Sequence, residues 1–189
     1  MENSQNMLDL PAIDMSLPEA EIIPQVMEQL EGLGFLHLKN VEDFDEDATL
    51  AACKAFHGLP AEAKHSLKWK NHNPDNKNIY RGLAPFVDND ASHKELFDMG
   101  LPYHLVSEDE RKYPLHEETP FPAGYPELKQ FYEEQYMHRL RLGLKLASYI
   151  AIGLGKERNF FESWFKEDSL GTYRSIFYLP RSKSTVKND

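Results

Sequence analysis

The N-terminal segment changes from an apolar run to a helical pattern and then to an alternating one. Residues 10–14 (LPAID) are mostly apolar, and Ser16 followed by Glu19 three residues later is typical of a capping box at a helix start. The helix predicted after it has apolar residues at spacings of three and four: Ile22, Ile23, Val26, Met27, Leu30 and Leu33. Residues 34–38 (GFLHL) then alternate as a half-buried strand does. The pattern predicts a strand, a helix and a second strand.

The middle of the chain begins with helical patterns and then loses its periodicity. Residues 44–56 have helical spacing, and Gly58 and Pro60 separate them from a second short helix at residues 61–67. From residue 68 to residue 126 no periodicity is visible and prolines recur. We therefore predict a long loop excursion here, and long loops of this kind are usually functional or disordered.

The longest helical pattern begins at Pro126, a residue that suits the first position of a helix, and runs to Gly153 or Gly155. Its apolar stripe consists of Leu128, Phe131, Tyr132, Tyr136, Leu140, Leu144, Ala147, Ile150 and Ala151. At 1.5 Å per residue this helix is roughly 40 Å long. We expect it to support the rest of the domain.

The C-terminal region has one more helical pattern and one more strand pattern. Residues 160–165 (FFESWF) predict a short aromatic helix that packs in the core or against another helix. Residues 173–178 (YRSIFY) predict a strand that ends before Pro180. Helix should therefore dominate, with most of the strand near Ile13, Leu36 and Ile176.

Charge and composition narrow the classes of partner. The chain carries 21 basic and 31 acidic side chains, and its net charge of −10 opposes binding to nucleic acid and to anionic membrane. No apolar run reaches the roughly 18 residues of a membrane span. The single cysteine, Cys53, cannot form an intrachain disulfide, and the N-terminus has no signal-peptide pattern. These features predict a cytoplasmic protein with small-molecule or protein partners.

Several local strings occur in a characteristic order. They are LPAIDMS, GLGFLHLKN, FHGLPAEAKHSL, NIYRGLAPF, KELFDMGLP, LGLKLASYIAIGLGKERNFFESWF and DSLGTYRSIFYLPR, and they span the chain from about Leu10 to Arg181. In this order the strings resemble the N-terminal region of the isopenicillin N synthase-like 2-oxoglutarate/Fe(II) dioxygenases. Their shared order makes a chance agreement improbable.

The resemblance implies a fold and a division of the chain. In that family the first half supports a double-stranded β-helix, or jelly roll, whose iron is bound by two histidines and one carboxylate. The implied fold class is α+β, the helical and strand region of such an oxygenase, truncated before most of the barrel. The implied regions are 1–125 (N-terminal region with the loop excursion), 126–170 (long supporting helix and aromatic helix) and 171–189 (first strand of the β-helix).

The resemblance also implies that the iron site lies outside this chain. The family's His-x-Asp pair follows the strand that YRSIFYLPR resembles, whereas this chain ends at Asp189 with no histidine after His138. The family's Arg-x-Ser, which binds the 2-oxoglutarate carboxylate, is absent as well. We expect no catalytic residue and no metal ligand here. Fe(II) and 2-oxoglutarate would belong to the complete family protein, and this chain alone should bind neither.

Three residues are candidates for ligand contacts, each with a structural alternative. Tyr178 matches the family tyrosine whose hydroxyl contributes to binding 2-oxoglutarate; alternatively it is an aromatic residue of the barrel wall. Arg174 alternates in phase with Tyr178 and could meet an anionic substrate, or it could form an ion pair at the barrel rim. Arg81 lies where the family's variable substrate loops begin, and it could contact substrate or simply be solvated.

An alternative hypothesis is that some of the histidines form a metal site within the chain. His93 and Glu95 have the form His-x-acid, and His138 follows at a plausible distance. Against this hypothesis, His93 follows a turn-rich stretch and His138 lies on a packed helix, so we interpret His93 as a solvated loop histidine. The other histidines lack ligand spacing and are interpreted as surface or half-buried residues. Cys53 lies among alanines and should behave as a small hydrophobic residue.

Two functional hypotheses follow. The first is the N-terminal portion of an oxygenase that acts on a small organic substrate, with a scaffold and substrate-mouth role. The second is a stand-alone, non-catalytic binding or regulatory module derived from that family. Strands that lack their partners would leave unpaired edges, so we also expect self-association.

Overall fold

The structure is a computed structural model that describes residues 10–88, 90, 92–166 and 170–180. In chain order its elements are β1 (Ile13–Asp14), α1 (Glu19–Gly32), β2 (Leu38–Lys39), α2 (Glu46–His57), α3 (Ala61–His65), β3 (Gly82–Ala84), β4 (Lys94–Met99), two short 3-10 helices (Tyr103–Leu105 and Pro114–His116), α4 (Pro126–Gly153) and β5 (Tyr173–Tyr178). Helix dominates and the sheets are small and open, which confirms the predicted mixture of helix and strand.

The chain divides into two compact units. One comprises residues 1–44 with 141–166, and the other comprises residues 45–140 with 167–189. Each unit has its own cluster of buried apolar side chains. This division follows contacts in space, whereas the three regions predicted above follow chain order and remain a prediction.

The first unit combines the N-terminal strand-helix-strand with the second part of α4. Strands β1 and β2 pair in parallel, and its core consists of Ile13, Met15, Ile22, Val26 and Tyr149. Gln29 is the buried polar exception. Its Nε2 donates to the Pro11 carbonyl at 2.6 Å, and its Oε1 accepts from the His37 amide at 2.9 Å. One side chain of α1 thus satisfies backbone groups beside both strands.

The start of α1 differs from the predicted capping box. The N-cap residue is Pro18, which makes no side-chain cap. The Ser16 hydroxyl donates instead to Asp14 Oδ1 at 2.6 Å. This bond and a further one from Asn40 lower the pKa of Asp14 to about 2. The capping-box prediction was wrong because Asp14 offers Ser16 a charged acceptor two residues away.

The second unit is built on an antiparallel sheet in the order β3-β4-β5. Phe97 of the central strand pairs with Leu83 of β3 on one side and with Ser175 of β5 on the other. The core on this face is aromatic. The Phe97 ring lies 4.3 Å from that of Phe56 and 5.7 Å from that of Tyr132, as measured between centroids. The N-terminal part of α4 and helix α2 thereby pack on the sheet.

Strands β3 and β4 lie where the sequence predicted only a loop excursion, and that prediction was wrong for these residues. Strand β4 has the sequence KELFDM, and Glu95 to Met99 are all buried. Its two carboxylates, Glu95 and Asp98, interrupt the apolar pattern, so neither alternation nor a continuous apolar run is visible. The strands predicted near Ile13 and Ile176 are confirmed as β1 and β5. The strand predicted over residues 34–38 overlaps β2 only at Leu38, because β2 spans Leu38–Lys39.

Helix α4 confirms the predicted long helix, with 28 residues from Pro126 to Gly153. The end of α4 lies close to α1: a Cβ on Gly153 would be 2.4 Å from Met27 Cγ, so a larger residue here would have to displace the Met27 side chain. Charged residues recur along α4. Neither it nor any other helix in the described ranges is long and apolar enough to cross a membrane.

Residues 160–164 form successive turns and Phe165 has no regular structure, so the predicted short helix was wrong. Phe160, Trp164 and Phe165 are 42%, 63% and 53% exposed, which also contradicts their predicted packing in a core. Their rings contact one another, with 5.6 Å between the centroids of Phe160 and Trp164. A single helical turn is unfavourable without tertiary packing, which explains why the aromatic pattern alone did not produce a helix.

Two glycines make a matched pair for testing this fold. Gly82, at the start of β3, has φ of +116°, and a Cβ there would lie 2.3 Å from the Leu67 carbonyl oxygen. The Leu83 amide donates to the same oxygen at 2.7 Å, so the approach is part of the structure. Gly143 lies inside α4, and apart from the adjacent residues and the backbone of its own helix no atom lies within 4 Å of the position of a Cβ.

We predict opposite effects of alanine at these two glycines. Gly82→Ala should lower the free energy of unfolding by about 1–3 kcal/mol or more, because it combines backbone strain with a steric clash. Gly143→Ala should raise it by roughly 0.4–1 kcal/mol, because alanine favours helix. Urea unfolding followed by circular dichroism measures both. A Gly82→Ala protein as stable as the wild type would contradict the geometry of β3.

Candidate functional site

An open cleft of about 650 Å³ lies at the end of the three-stranded sheet where β4 ends and β5 begins. Two aromatic rings, Trp69 and Tyr80, contribute to its wall. Its polar side chains are Arg81, Asp98, Thr172 and Arg174. The cleft therefore brings together two arginines that the sequence analysis had considered separately.

Arg81 is buried in the floor of this cleft, with 4% of its surface exposed. Its Nη1 donates to Thr172 Oγ1 at 2.7 Å, and its Nη2 donates to the carbonyl oxygens of Gly171 at 3.0 Å and Leu115 at 3.1 Å. Burial lowers the pKa of Arg81. The alternative that Arg81 is a solvated loop arginine was wrong, and its contact with a substrate stays a prediction.

Gly100 makes room for the Arg81 guanidinium. A Cβ at this position would lie 2.8 Å from Arg81 Nε and 3.1 Å from Cζ. Any larger residue would have to displace a side chain whose hydrogen bonds connect three separate segments of the chain. The glycine after β4 is thus explained by the side chain that passes over it.

Arg174 and Asp98 form a two-pronged ion pair across β4 and β5. Nε lies 2.6 Å from Oδ1, and Nη2 lies 2.7 Å from Oδ2. The Asp98 carboxylate raises the pKa of Arg174. Of the two alternatives for Arg174, the structure shows the ion pair, and a direct contact with a substrate remains a prediction. The Arg174 side chain is 47% exposed and contributes to the wall of the cleft.

Tyr178 lies near the other end of β5, opposite Lys94, and is 64% exposed. It shares a face of the strand with Arg174, as their even spacing predicted. Tyr178 is not among the residues that line the cleft. The phenol is accessible, and its role in binding 2-oxoglutarate stays a prediction.

A buried polar network lies on the opposite face of β4. His57 Nδ1 is 2.7 Å from Glu95 Oε1, and His57 Nε2 is 2.9 Å from Ser175 Oγ. Lys64 Nζ donates to both Glu95 oxygens at 2.9 and 3.0 Å. The interpretation of His57 as a surface or half-buried histidine was wrong, since it is 7% exposed. Sequence spacing has no signal for this group because its members are far apart in the chain.

The order serine-histidine-carboxylate matches that of a hydrolase triad, but the surroundings do not. Ser175 is only 4% exposed, and its hydroxyl donates to the Cys53 thiol at 3.4 Å. A nucleophile needs an open approach for the substrate carbonyl. The network therefore serves to satisfy buried polar groups that connect α2, α3, β4 and β5.

The rival metal site is not assembled. Within the described ranges, no group of three or more histidine, cysteine or acidic side chains could bind a metal ion. The His93 ring lies beside the Leu179 carbonyl at 3.0 Å, and Glu95 is occupied by His57 and Lys64. These residues do not fit the ligand set of an Fe(II) site.

The sequence is similar to that of a known enzyme. No family model matches the sequence. A match to isopenicillin N synthase of Streptomyces clavuligerus has 26% identity over 184 residues and covers 89% of this chain and 55% of the relative. The chain is homologous to isopenicillin N synthase. The family resemblance seen in the sequence is thereby confirmed.

Solved structures show the same fold. A putative 2OG-Fe(II) oxygenase family protein from Caulobacter crescentus superposes with a TM-score of 0.71 at 24% identity, over 93% of this chain and 59% of that one. A full-length Neurospora crassa protein, solved in complex with alpha-KG, has a TM-score of 0.60 at 23% identity over 82% and 46%. JOX2, in complex with 2OG, Fe and JA, has a TM-score of 0.64 at 19% identity over 89% and 48%. The chain spans about half the length of these relatives.

Glu95 provides a test of the buried network. Burial alone would raise the pKa of this carboxyl, but the hydrogen bonds from His57 and Lys64 outweigh burial and lower it. A lowered pKa in the folded state means that the charged carboxylate stabilises the fold above its ordinary pKa. This contribution is lost as the pH falls below the ordinary value of 4.5.

We predict that Glu95→Gln lowers the free energy of unfolding by about 3–5 kcal/mol at neutral pH, because it leaves Lys64 without its buried counterion. The difference from the wild type should be constant above about pH 5 and narrow progressively as the pH falls below 4.5. Urea titrations across this range measure it. Glu62→Gln, on the exposed side of α3, is the control and should change stability by less than about 0.5 kcal/mol. A pH-independent difference would contradict the assignment.

Proposed function

We propose that residues 1–189 are the N-terminal portion of a 2-oxoglutarate- and Fe(II)-dependent oxygenase that acts on a small organic substrate. In this proposal the chain provides a scaffold and part of the substrate mouth. The observation that supports it best is the cleft at the sheet end, which collects Arg81, Arg174 and two aromatic rings in a chain homologous to isopenicillin N synthase.

The chemistry of the cleft suits a small organic ligand with hydrogen-bond acceptors. Trp69 and Tyr80 offer aromatic surface, and Thr172 and Arg174 offer polar groups. Asp98 balances the charge of Arg174 and fixes its guanidinium, so that the remaining donors of Arg174 point in a defined direction. Arg81 holds the loop and the cleft floor together, and its buried charge adds positive potential.

Iron and 2-oxoglutarate would come into contact with this portion only in the complete protein. Two relatives were solved with these groups, the Neurospora crassa protein with alpha-KG and JOX2 with 2OG and Fe. When bound, iron supplies the oxidising chemistry of such enzymes. The residues described here do not offer its ligand set. Tyr178 is our candidate for a neutral donor to the 2-oxoglutarate carboxylate, because its phenol is exposed on the face that also carries Arg174.

One observation favours the second candidate, a stand-alone binding or regulatory module. Each of the two units buries its own apolar cluster, and both clusters are formed by residues of this chain. A chain that buries its apolar clusters with its own residues can fold without the remaining half of an oxygenase. For both candidates we propose a cytoplasmic location, consistent with a single unpaired cysteine.

We predict that the purified 189-residue chain neither retains Fe(II) after dialysis nor converts 2-oxoglutarate to succinate. Iron is measured by atomic absorption and succinate by chromatography. A longer chain that restores the relatives' full length should do both. Stoichiometric iron in the short chain that disappears in His93→Ala would contradict the proposal and support the rival metal site.

We also propose that the chain self-associates through β5. Within the described part of the chain this strand pairs only with β4, and Ile176, Phe177 and Tyr178 are 42%, 42% and 64% exposed. An edge strand with exposed apolar side chains is a template for pairing with another chain. The net charge of −10 opposes association but does not cover the edge.

We predict a concentration-dependent oligomer in analytical ultracentrifugation, which Ile176→Lys should shift towards monomer because a charge on an edge strand disfavours pairing. Val87→Lys is the matched control: Val87 is similarly exposed, at 44%, but lies outside the strands. A monodisperse wild-type monomer that melts sharply above roughly 60 °C would instead support the stand-alone module.

A further inference from the structure

The loop before β3 carries Tyr80 and Arg81 into the cleft but has no regular secondary structure of its own. Three consecutive amides of its backbone are held by one side chain from a distant segment. The amides of Ile79, Tyr80 and Arg81 all donate to the carboxylate of Glu117. The Ile79 amide lies 2.9 and 3.0 Å from the two carboxylate oxygens, and the Arg81 amide lies 2.7 Å from Oε1.

The same segment binds the loop at two further points. The Asn78 amide group donates to the Glu118 carbonyl at 2.7 Å, and Arg81 Nη2 donates to the Leu115 carbonyl at 3.1 Å. Asn78 is 6% exposed. Residues 115–118 therefore contact the loop at Asn78, at the three amides and at the Arg81 side chain. Glu117 provides the only charged acceptor among these contacts.

Successive backbone N–H groups that converge on one point form a concave site for an anion. A carboxylate is the acceptor that suits such a site, because hydrogen bonds to a charged oxygen are stronger than bonds to a neutral one. A glutamine in its place would retain one acceptor oxygen, lose the charge and add an NH₂ group close to other donors. The contact is thus specific for an ionised side chain.

We propose that Glu117 is a positioning residue of the cleft. Its carboxylate fixes the amides of residues 79–81, and this sets the places of the Tyr80 ring and the Arg81 guanidinium beside Trp69. That this positioning serves substrate binding rests on the proposed function, in which the cleft binds a substrate. The arrangement itself is a property of the folded chain and can be tested without any ligand.

Amide hydrogen exchange, resolved by residue, tests the hold on the loop. In Glu117→Gln, the amides of Ile79, Tyr80 and Arg81 should exchange about tenfold faster or more than in the wild type. The amides of β4, which belong to the sheet, should keep their rates. Glu118→Gln is the matched control, since it removes a neighbouring charge whose carboxylate is not part of the contact, and it should leave the three amides unchanged.

The fluorescence of Trp69 tests the shape of the cleft. The chain has two tryptophans, so Trp164→Phe leaves Trp69 as the only emitter. In this background Glu117→Gln should raise the acrylamide quenching constant of Trp69 by about twofold, because the loop beside it is released, while Glu118→Gln should not change it. If Glu117→Gln proves unstable, Glu117→Asp, which keeps the charge on a shorter stem, should give smaller changes in both measurements.

Three outcomes would overturn the proposal. Unchanged exchange at the three amides would show that Glu117 does not hold the loop. Faster exchange throughout β4 would show a general folding role. Loosened amides with unchanged quenching of Trp69 would show that the loop does not shape the cleft. Neither measurement uses a substrate, so both test the positioning role of Glu117 separately from the proposed function. Whether the complete enzyme binds a substrate in the cleft tests only the proposed function.

Discussion

The structure of the second unit depends on two carboxylates buried in its central strand. Glu95 and Asp98 lie on opposite faces of β4, and a carboxylate can be buried only if charged or hydrogen-bonding partners replace water. On one face the partners are His57 and Lys64, which bind α2 and α3 to the sheet. On the other face the partner is Arg174, which binds β5. The pairing of buried charges thus determines which elements meet on each side of the strand.

As a result, the two faces of β4 differ in their exposure to solvent. The Glu95 face is closed: its polar atoms are satisfied by one another, and the aromatic core of Phe56, Phe97 and Tyr132 continues from it. The Asp98 face is open at one end, where the cleft lies. An ion pair with a half-exposed arginine there leaves donors available to a ligand, whereas the buried triad-like network leaves none. The triad-like geometry lies on the closed Glu95 face, whereas the exposed polar groups lie on the Asp98 face.

The cleft is assembled from segments that are distant in the chain. Arg81 reaches the carbonyl of Leu115 and the residues before β5, and Gly100 gives its guanidinium space. Glu117 fixes the backbone that carries Arg81 and Tyr80. Few of these contacts involve regular secondary structure, so side-chain hydrogen bonds hold together the loops that line the cleft.

The sequence by itself determined the elements whose apolar side chains repeat with a regular period: α1, α2, α4 and β5. It also determined the relationship to isopenicillin N synthase, through the order of its local strings. Only the tertiary structure decided which polar residues are buried and which groups they bond to. Ser16 bonds to Asp14 instead of capping α1, Arg81 is buried instead of solvated, and β4 is a strand despite its two carboxylates. The physical reason is that periodicity reports burial of apolar surface within one element, whereas a polar side chain is buried only where partners from distant segments satisfy it.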